Sequence, residues 1–174
     1  MPDGTFEVSV LTPEFQLLHE EARAIVLRSS DGDLTILDGH TPIITDVVPG
    51  DVRVDRAEGD PVHMAVHGGY MQVETGPGIG GAEGRATRVT LLAGTAELAS
   101  QIDVARAERA RAEAEARVEE LRGAAGRAGG TATGAAAGTS GDAEGATPEE
   151  IELQEAEAAL KRAQVRLDVA GESS

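Results

Sequence analysis

The sequence predicts a mainly β amino-terminal domain, a sandwich or barrel of eight to ten short strands, followed by an antiparallel α-helical hairpin. Three observations lead there. Up to about residue 95, apolar residues fall in short alternating or continuous runs punctuated by Gly, Pro and Asp. Composition then shifts to Ala, Glu and Arg with apolar residues at helical spacing. Two such helical stretches flank a Gly/Ala/Thr/Ser-rich segment with no hydrophobic period.

The strands are read in chain order. Phe6, Val8 and Val10 alternate with Glu7 and Ser9, as in a half-buried strand. Residues 15–18 and 22–28 are two further candidates. Gly32 and Gly39 bracket a strand in which Leu34 and Ile36 share a face, and Gly39-His-Thr-Pro42 is a tight turn. Ile43, Ile44, Val47 and Val48 read as a buried strand ending at Pro49-Gly50. Strands at 52–54, 62–67, 70–74 and 86–93 complete the series, which indicates a domain spanning residues 1–95. With two Phe, one Tyr and no Trp, its core must be aliphatic.

The first helix is expected over residues 96–122. Ser100 and Asp103 stand at capping-box spacing, and Val104, Ala107, Ala110, Ala114, Val118 and Leu121 lie on one side. Residues 123–146 read as a flexible linker. Thr147-Pro-Glu-Glu150 opens a second helix over 147–170 with an N-cap threonine, a proline at the first position and a glutamate three residues on. Leu153, Ala156, Leu160, Ala163, Leu167 and Ala170 then form an unbroken heptad seam. An alanine seam buries little area, so this pairing is expected to be weak.

The formal charge of −16 disfavours nucleic acid and direct binding to anionic lipid. No cysteine is present, so disulfides, thiolate metal sites and a cysteine nucleophile are excluded. No apolar stretch approaches the ~20 residues that span a bilayer, and the amino terminus lacks signal-peptide features. Gly76-Pro-Gly-Ile-Gly-Gly81 spells a dinucleotide fingerprint, but a strand follows it where a helix is required. His63 and His67 lie four apart on a strand, ~13 Å from each other, too far to share a metal; they read as surface or rim histidines. Asp33, Asp38 and His40 surround one turn and invite an acid–base reading, with a purely structural turn as the alternative.

The run Gly32-Asp-Leu-Thr-Ile-Leu-Asp-Gly-His-Thr-Pro42 carries a wider resemblance. With His67-Gly-Gly-Tyr-Met-Gln-Val73, Val89-Thr-Leu-Leu-Ala93, Ile102-Asp-Val-Ala-Arg-Ala107 and Ala159-Leu-Lys-Arg-Ala-Gln-Val-Arg-Leu-Asp-Val-Ala170, it resembles, in order, the bacterial ε (epsilon) subunits of F-type proton-translocating ATP synthases. The resemblance implies a non-catalytic central-stalk subunit, peripheral on the cytoplasmic face of the plasma membrane. It implies docking on the γ subunit and the membrane rotor c-ring, with the catalytic α/β subunits contacted by an extended hairpin that hinders ATP hydrolysis. Asp33, Asp38, Gly39 and His40 match the rotor-ring loop.

No cofactor is required, but a regulatory ATP is implied at Glu97, Ile102, Asp103, Arg106, Arg162 and Arg166. Salt bridges within the chain are the plainer reading of those charges. Two departures stand out: a further arginine of the family falls on Glu113, and the linker is longer than the family's turn. A free-standing β-sandwich adaptor with a coiled-coil tail, and an enzyme centred on His40, are the competing readings.

Overall fold

The computed structural model describes residues 4–77, 85–129 and 147–172. Nine strands lie among them: β1 (Phe6–Leu11), β2 (Gln16–Ser29), β3 (Gly32–Leu37), β4 (Ile43–Val47), β5 (Gly50–Arg56), β6 (Val62–Val66), β7 (Gly69–Pro77), β8 (Arg85–Ala93) and β9 (Ala96–Leu98). A 3-10 turn (Ala99–Gln101) precedes α1 (Val104–Gly129), and α2 spans Pro148–Glu172. The chain divides into a β unit, Met1–Val104 with Val165–Ser174, and a helical unit, Ala105–Gln164.

In the β unit the strand order is β4-β7-β8-β1-β2-β5-β6-β9, with β3 also on β2, and the sheet is open rather than closed. The long β2 makes the sandwich. Its first half pairs with β1, its second half pairs with β3 and β5, and the register with β5 slips between Ala22 and Ala24. Such an irregularity bends a strand and increases its twist, so one strand serves both layers.

The parallel pair of β1 and β8 ties the start of the domain to its end. Phe6, Val8, Val10, Ile25, Ile36, Val54, Met64, Met71 and Leu91 fill the space between layers. Phe6 is the core's one aromatic residue among the described side chains; aliphatic side chains supply the remaining packing.

Several elements differ from the sequence expectation. Residues 15–18 and 22–28 are joined in one 14-residue strand. His19, Glu20 and Glu21 contain no breaker, and their ladder with Ser9, Val8 and Glu7 carries β2 through. β4 is not a buried strand. It pairs only with β7, so as an edge strand it leaves Ile43 and Ile44 exposed. Ser100 lies in the 3-10 turn rather than at a helix cap, and Asp103 directly precedes α1.

α1 continues past Gly123 to Gly129. The cost of one interior glycine, about 1 kcal/mol, is offset by the flanking alanines, the best helix formers. The rest of the expected linker, residues 130–146, lies outside the described residues, as does most of the glycine-rich run at 76–81. The described residues that follow that run form β8, a strand antiparallel to β7, where the dinucleotide fingerprint needs a helix.

In the helical unit, α1 buries Ala107, Ala114 and Val118, and α2 buries Ala156 and Ala163. Each was expected on the inner side of its helix, Ala156 and Ala163 in the heptad seam; Val104, expected on the same side of α1, is exposed. Arg117 bonds Glu152 at 2.8 Å and Arg122 bonds Glu157 at 2.7 Å across the hairpin. Exposed pairs of this kind contribute about 0–1 kcal/mol each, so small-residue packing carries the contact. Thr147 and Glu150 form a reciprocal capping box: Glu150 N–H donates to Thr147 Oγ1 at 3.3 Å, and Thr147 N–H donates to Glu150 Oε2 at 2.8 Å. A cap of this kind stabilises a helix start by about 1 kcal/mol.

Candidate functional site

The loop between β3 and β4 is rigid for identifiable reasons. Gly39 has φ +77°, a left-handed conformation that glycine adopts without steric cost. His40 N–H donates to Leu37 O at 3.1 Å and closes the turn. Gly39 N–H donates to the buried Thr87 Oγ1 at 2.8 Å, and Thr75 Oγ1 donates to His40 O at 2.7 Å. Two threonines on β7 and β8 therefore pin the loop to the sandwich. Asp38 and Gly39 are exposed at its tip, whereas the His40 imidazole is half-buried and holds its own chain, with Nδ1 donating to Thr41 O at 2.8 Å. A ring nitrogen committed to the adjacent carbonyl is poorly placed as a general base. Among the described residues no group of three His, Asp or Glu side chains could hold a metal ion.

Asp33 does not join this cluster. It lies at the opposite end of β3 from Asp38, ~17 Å away at strand rise. Its carboxylate is forked by Arg28, with Nε to Oδ1 at 2.7 Å and Nη2 to Oδ2 at 3.3 Å. The hydrogen bonds from Arg28, then its charge, hold the Asp33 carboxyl below the usual carboxylate range. A depressed folded pKa gives stability that is present above the unfolded value and lost as pH falls through the folded one. Arg28→Gln is expected to raise the Asp33 midpoint toward its ordinary value in a carboxyl NMR titration. An unmoved midpoint would contradict the pairing.

The second expected set is divided between the two units. Glu97 on β9, Ile102 and Asp103 before α1, and Arg166 near the end of α2 belong to the β unit, whereas Arg106 and Arg162 are exposed side chains of the helical unit. Arg166 meets Glu97 directly, with Nε at 3.1 Å from both carboxylate oxygens and Nη2 at 2.5 Å from Oε1. Ile102 packs against a small buried cluster of Ala65, Ala99, Val165 and Val169. Sequence reasoning missed Val165 and Val169, which lie off the heptad stripe. Their spacing of four was the available signal for a second apolar face.

His63 was read as a surface or rim residue, but its side chain is only 16% exposed and its Nδ1 lies 2.9 Å from Asp51 Oδ2. It sits on β6, next to the end of the sheet, where the register sets it opposite Arg53 of β5.

The sandwich also presents an apolar face that sequence reasoning did not single out. Ile44, Tyr70 and Leu92 are 72%, 64% and 52% exposed. The ladder aligns Ile44 with Gln72 and Tyr70 with both Asp46 and Leu92, so all three project from the side opposite the core residues Met71, Val73 and Leu91. A shallow groove beside them is lined by Leu11, Pro13, His67, Gly69, Tyr70 and Leu92. Exposed apolar residues grouped in this way mark contact surfaces in soluble proteins.

Residues 5–76 match the family model described as ATP synthase, Delta/Epsilon chain, beta-sandwich domain. The ATP synthase epsilon chain of Desulforudis audaxviator is 40% identical over 118 residues, covering 68% of this chain and 77% of that one. The chain belongs to the ATP synthase epsilon-chain family. The epsilon chain of Pelotomaculum thermopropionicum is 36% identical over 118 residues, 79% of its length. A chain of the Euglena gracilis mitochondrial ATP synthase, solved by cryo-EM as an OSCP/F1/c-ring assembly, shares the fold, with a TM-score of 0.63 over 97% of this chain and 80% of that one at 18% identity. Among the described residues no helix is long and apolar enough to cross a membrane.

Proposed function

We propose that the chain is the epsilon subunit of the central stalk of a proton-translocating ATP synthase, a mechanical and regulatory part that performs no bond chemistry. The observation that carries this reading is the pairing of a sandwich whose core is closed with an outward apolar face at Ile44, Tyr70 and Leu92, in a chain of the epsilon family. That face suits docking on the γ subunit, since aromatic side chains are favoured anchors of protein interfaces. The pinned loop at Asp38, Gly39 and His40 suits contact with polar loops of the c-ring, because a rigid loop transmits torque without first deforming. Asp33, tied to Arg28, is the more distant member of that rotor surface.

The helical hairpin is the regulatory arm. Its small-residue seam and exposed ion pairs make it separable at low cost, so it can extend toward the α/β subunits and hinder hydrolysis. A regulatory ATP is part of the proposal, with the guanidiniums of Arg106, Arg162 and Arg166 and the residues Glu97, Ile102 and Asp103 as its expected contacts. The subunit then works at the cytoplasmic face of the plasma membrane, held there by its complex.

Purified chain mixed with the γ subunit of its complex should co-elute from size exclusion as a one-to-one complex. Separate elution at micromolar concentration would overturn the reading. Calorimetry with ATP, run on the chain and on the Arg162→Ala plus Arg166→Ala variant, tests the nucleotide separately, and identical titrations would remove it.

A further inference from the structure

We propose that γ docks on the whole outward face of one sandwich layer, where an acidic row remote from the apolar corner takes a basic stretch of γ and fixes the direction of docking. This role rests on the γ docking proposed above and adds the chemistry of the surface that γ must present. The ladders set the outward side chains of β4, β7, β8, β1 and the first half of β2 in rows across the strands. One row runs Asp46, Tyr70, Leu92, Leu11. The next runs Ile44, Gln72, Thr90, Ser9, His19. The third runs Glu74, Arg88, Glu7, Glu21. Val8, Val10, Met71, Val73, Val89 and Leu91 alternate with them along the strands and are buried, so all three rows share the side away from the core.

The rows differ in chemistry. In the first, Asp46 is held by its own chain: Ser30 N–H donates to Oδ2 at 3.2 Å and Ser30 Oγ to Oδ1 at 2.9 Å. That end of the face is therefore apolar. The middle row carries hydrogen-bonding side chains, with Ser9 Oγ 3.0 Å from His19 Nδ1. The third row sets the carboxylates of Glu74, Glu7 and Glu21 against the single guanidinium of Arg88, which is forked on Glu7 at 3.1 and 3.4 Å. Its net charge is negative, and it lies ~13 Å along the strands from Tyr70 and Leu92.

A specific interface buries about 800 Å² on each partner, more than three side chains at one corner supply. The three rows together span roughly 20 by 20 Å at ordinary strand spacing and rise, so docking has to reach the polar and acidic rows. An acidic partner surface would meet like charge there, at a cost in rate and affinity, whereas a basic one is drawn in. Because the apolar and acidic rows lie on opposite edges, turning the partner by half a turn sets charge against apolar side chains. Only one orientation satisfies both.

Surface plasmon resonance of the full chain on immobilised γ, at ~0.1 M and ~1 M salt, tests the acidic row, because the screening length falls from ~10 Å to ~3 Å between them. Glu21→Lys combined with Glu74→Lys is expected to slow association roughly tenfold at the lower salt and little at the higher. Glu58→Lys combined with Asp60→Lys makes the same change in net charge at exposed positions of the turn between β5 and β6. That pair should stay within about twofold of the unaltered chain. Glu21→Gln combined with Glu74→Gln, a milder change for the fold, should slow association roughly threefold. Urea midpoints establish that each variant is folded.

Equal slowing by the two pairs of charge reversals would assign the effect to net charge and overturn the acidic row's role. So would unchanged or faster association of both Glu21/Glu74 variants, which would leave γ docked at the apolar corner alone. An unaltered chain that ignores γ would remove the docking reading, and the acidic row's role with it.

Discussion

Ile44→Glu combined with Tyr70→Glu is expected to abolish capture of the γ subunit, weakening binding by roughly a thousandfold, while the isolated chain keeps its unfolding midpoint. The magnitude comes from what each side chain would contribute at an interface. Truncating a buried aromatic anchor commonly costs about 2–4 kcal/mol, and placing an unpaired carboxylate in a desolvated contact adds its own penalty. Stability should hold because both side chains face away from the core; exposed substitutions usually stay within about 0.5 kcal/mol. Surface plasmon resonance against immobilised γ measures the first effect, and urea denaturation the second. Undiminished binding with an intact fold would show that γ uses another face. Loss of both would show that the two residues support the sandwich instead.

Much of this architecture could be read directly from residue order. Phe6, Val8 and Val10 alternate and are buried, because a strand with one face on the core must alternate. Thr147 and Glu150 announce their capping box in four letters. The alanine seam is legible because helical spacing is a property of the chain alone.

What escaped depends on neighbours. Ile43 and Ile44 look like core in a string of letters, and only sheet order reveals β4 as an edge. Val165 and Val169 look incidental beside a heptad stripe, because one helix can bury two faces and periodicity favours the stronger. In the candidate site, the turn at Gly39 is visible as a glycine before a proline, but its fastening to Thr75 and Thr87 joins positions far apart in sequence. The same holds for Glu97 and Arg166: their charges were legible, and their contact was not.

Gly69→Ala should strongly destabilise the sandwich, although it adds only one methyl group. Gly69 pairs with Val47 of β4 on one side and Ala93 of β8 on the other. A Cβ at this position would stand 2.2 Å from Leu92 O and 3.0 Å from Ala93 Cα. Both atoms are backbone of a hydrogen-bonded strand, so no rotamer change relieves the clash; the β7–β8 ladder must separate or β7 must shift. Overpacking of well-ordered interiors costs about 1–3 kcal/mol, occasionally more, and a backbone obstruction belongs at or above the top of that range.

The damage should also reach function. The ladder that opens carries Tyr70 and Leu92 as its next pair, so the apolar face loses its alignment along with its support. Gly68 provides the control: a Cβ there has Val47 O at 3.7 Å as its nearest neighbour, an ordinary contact. Its φ of +103° makes Gly68→Ala costly through backbone strain instead. Chemical denaturation should place Gly69→Ala about 3 kcal/mol or more below the unaltered chain. A loss under about 1 kcal/mol would mean that the two strands separate more readily than their close approach implies.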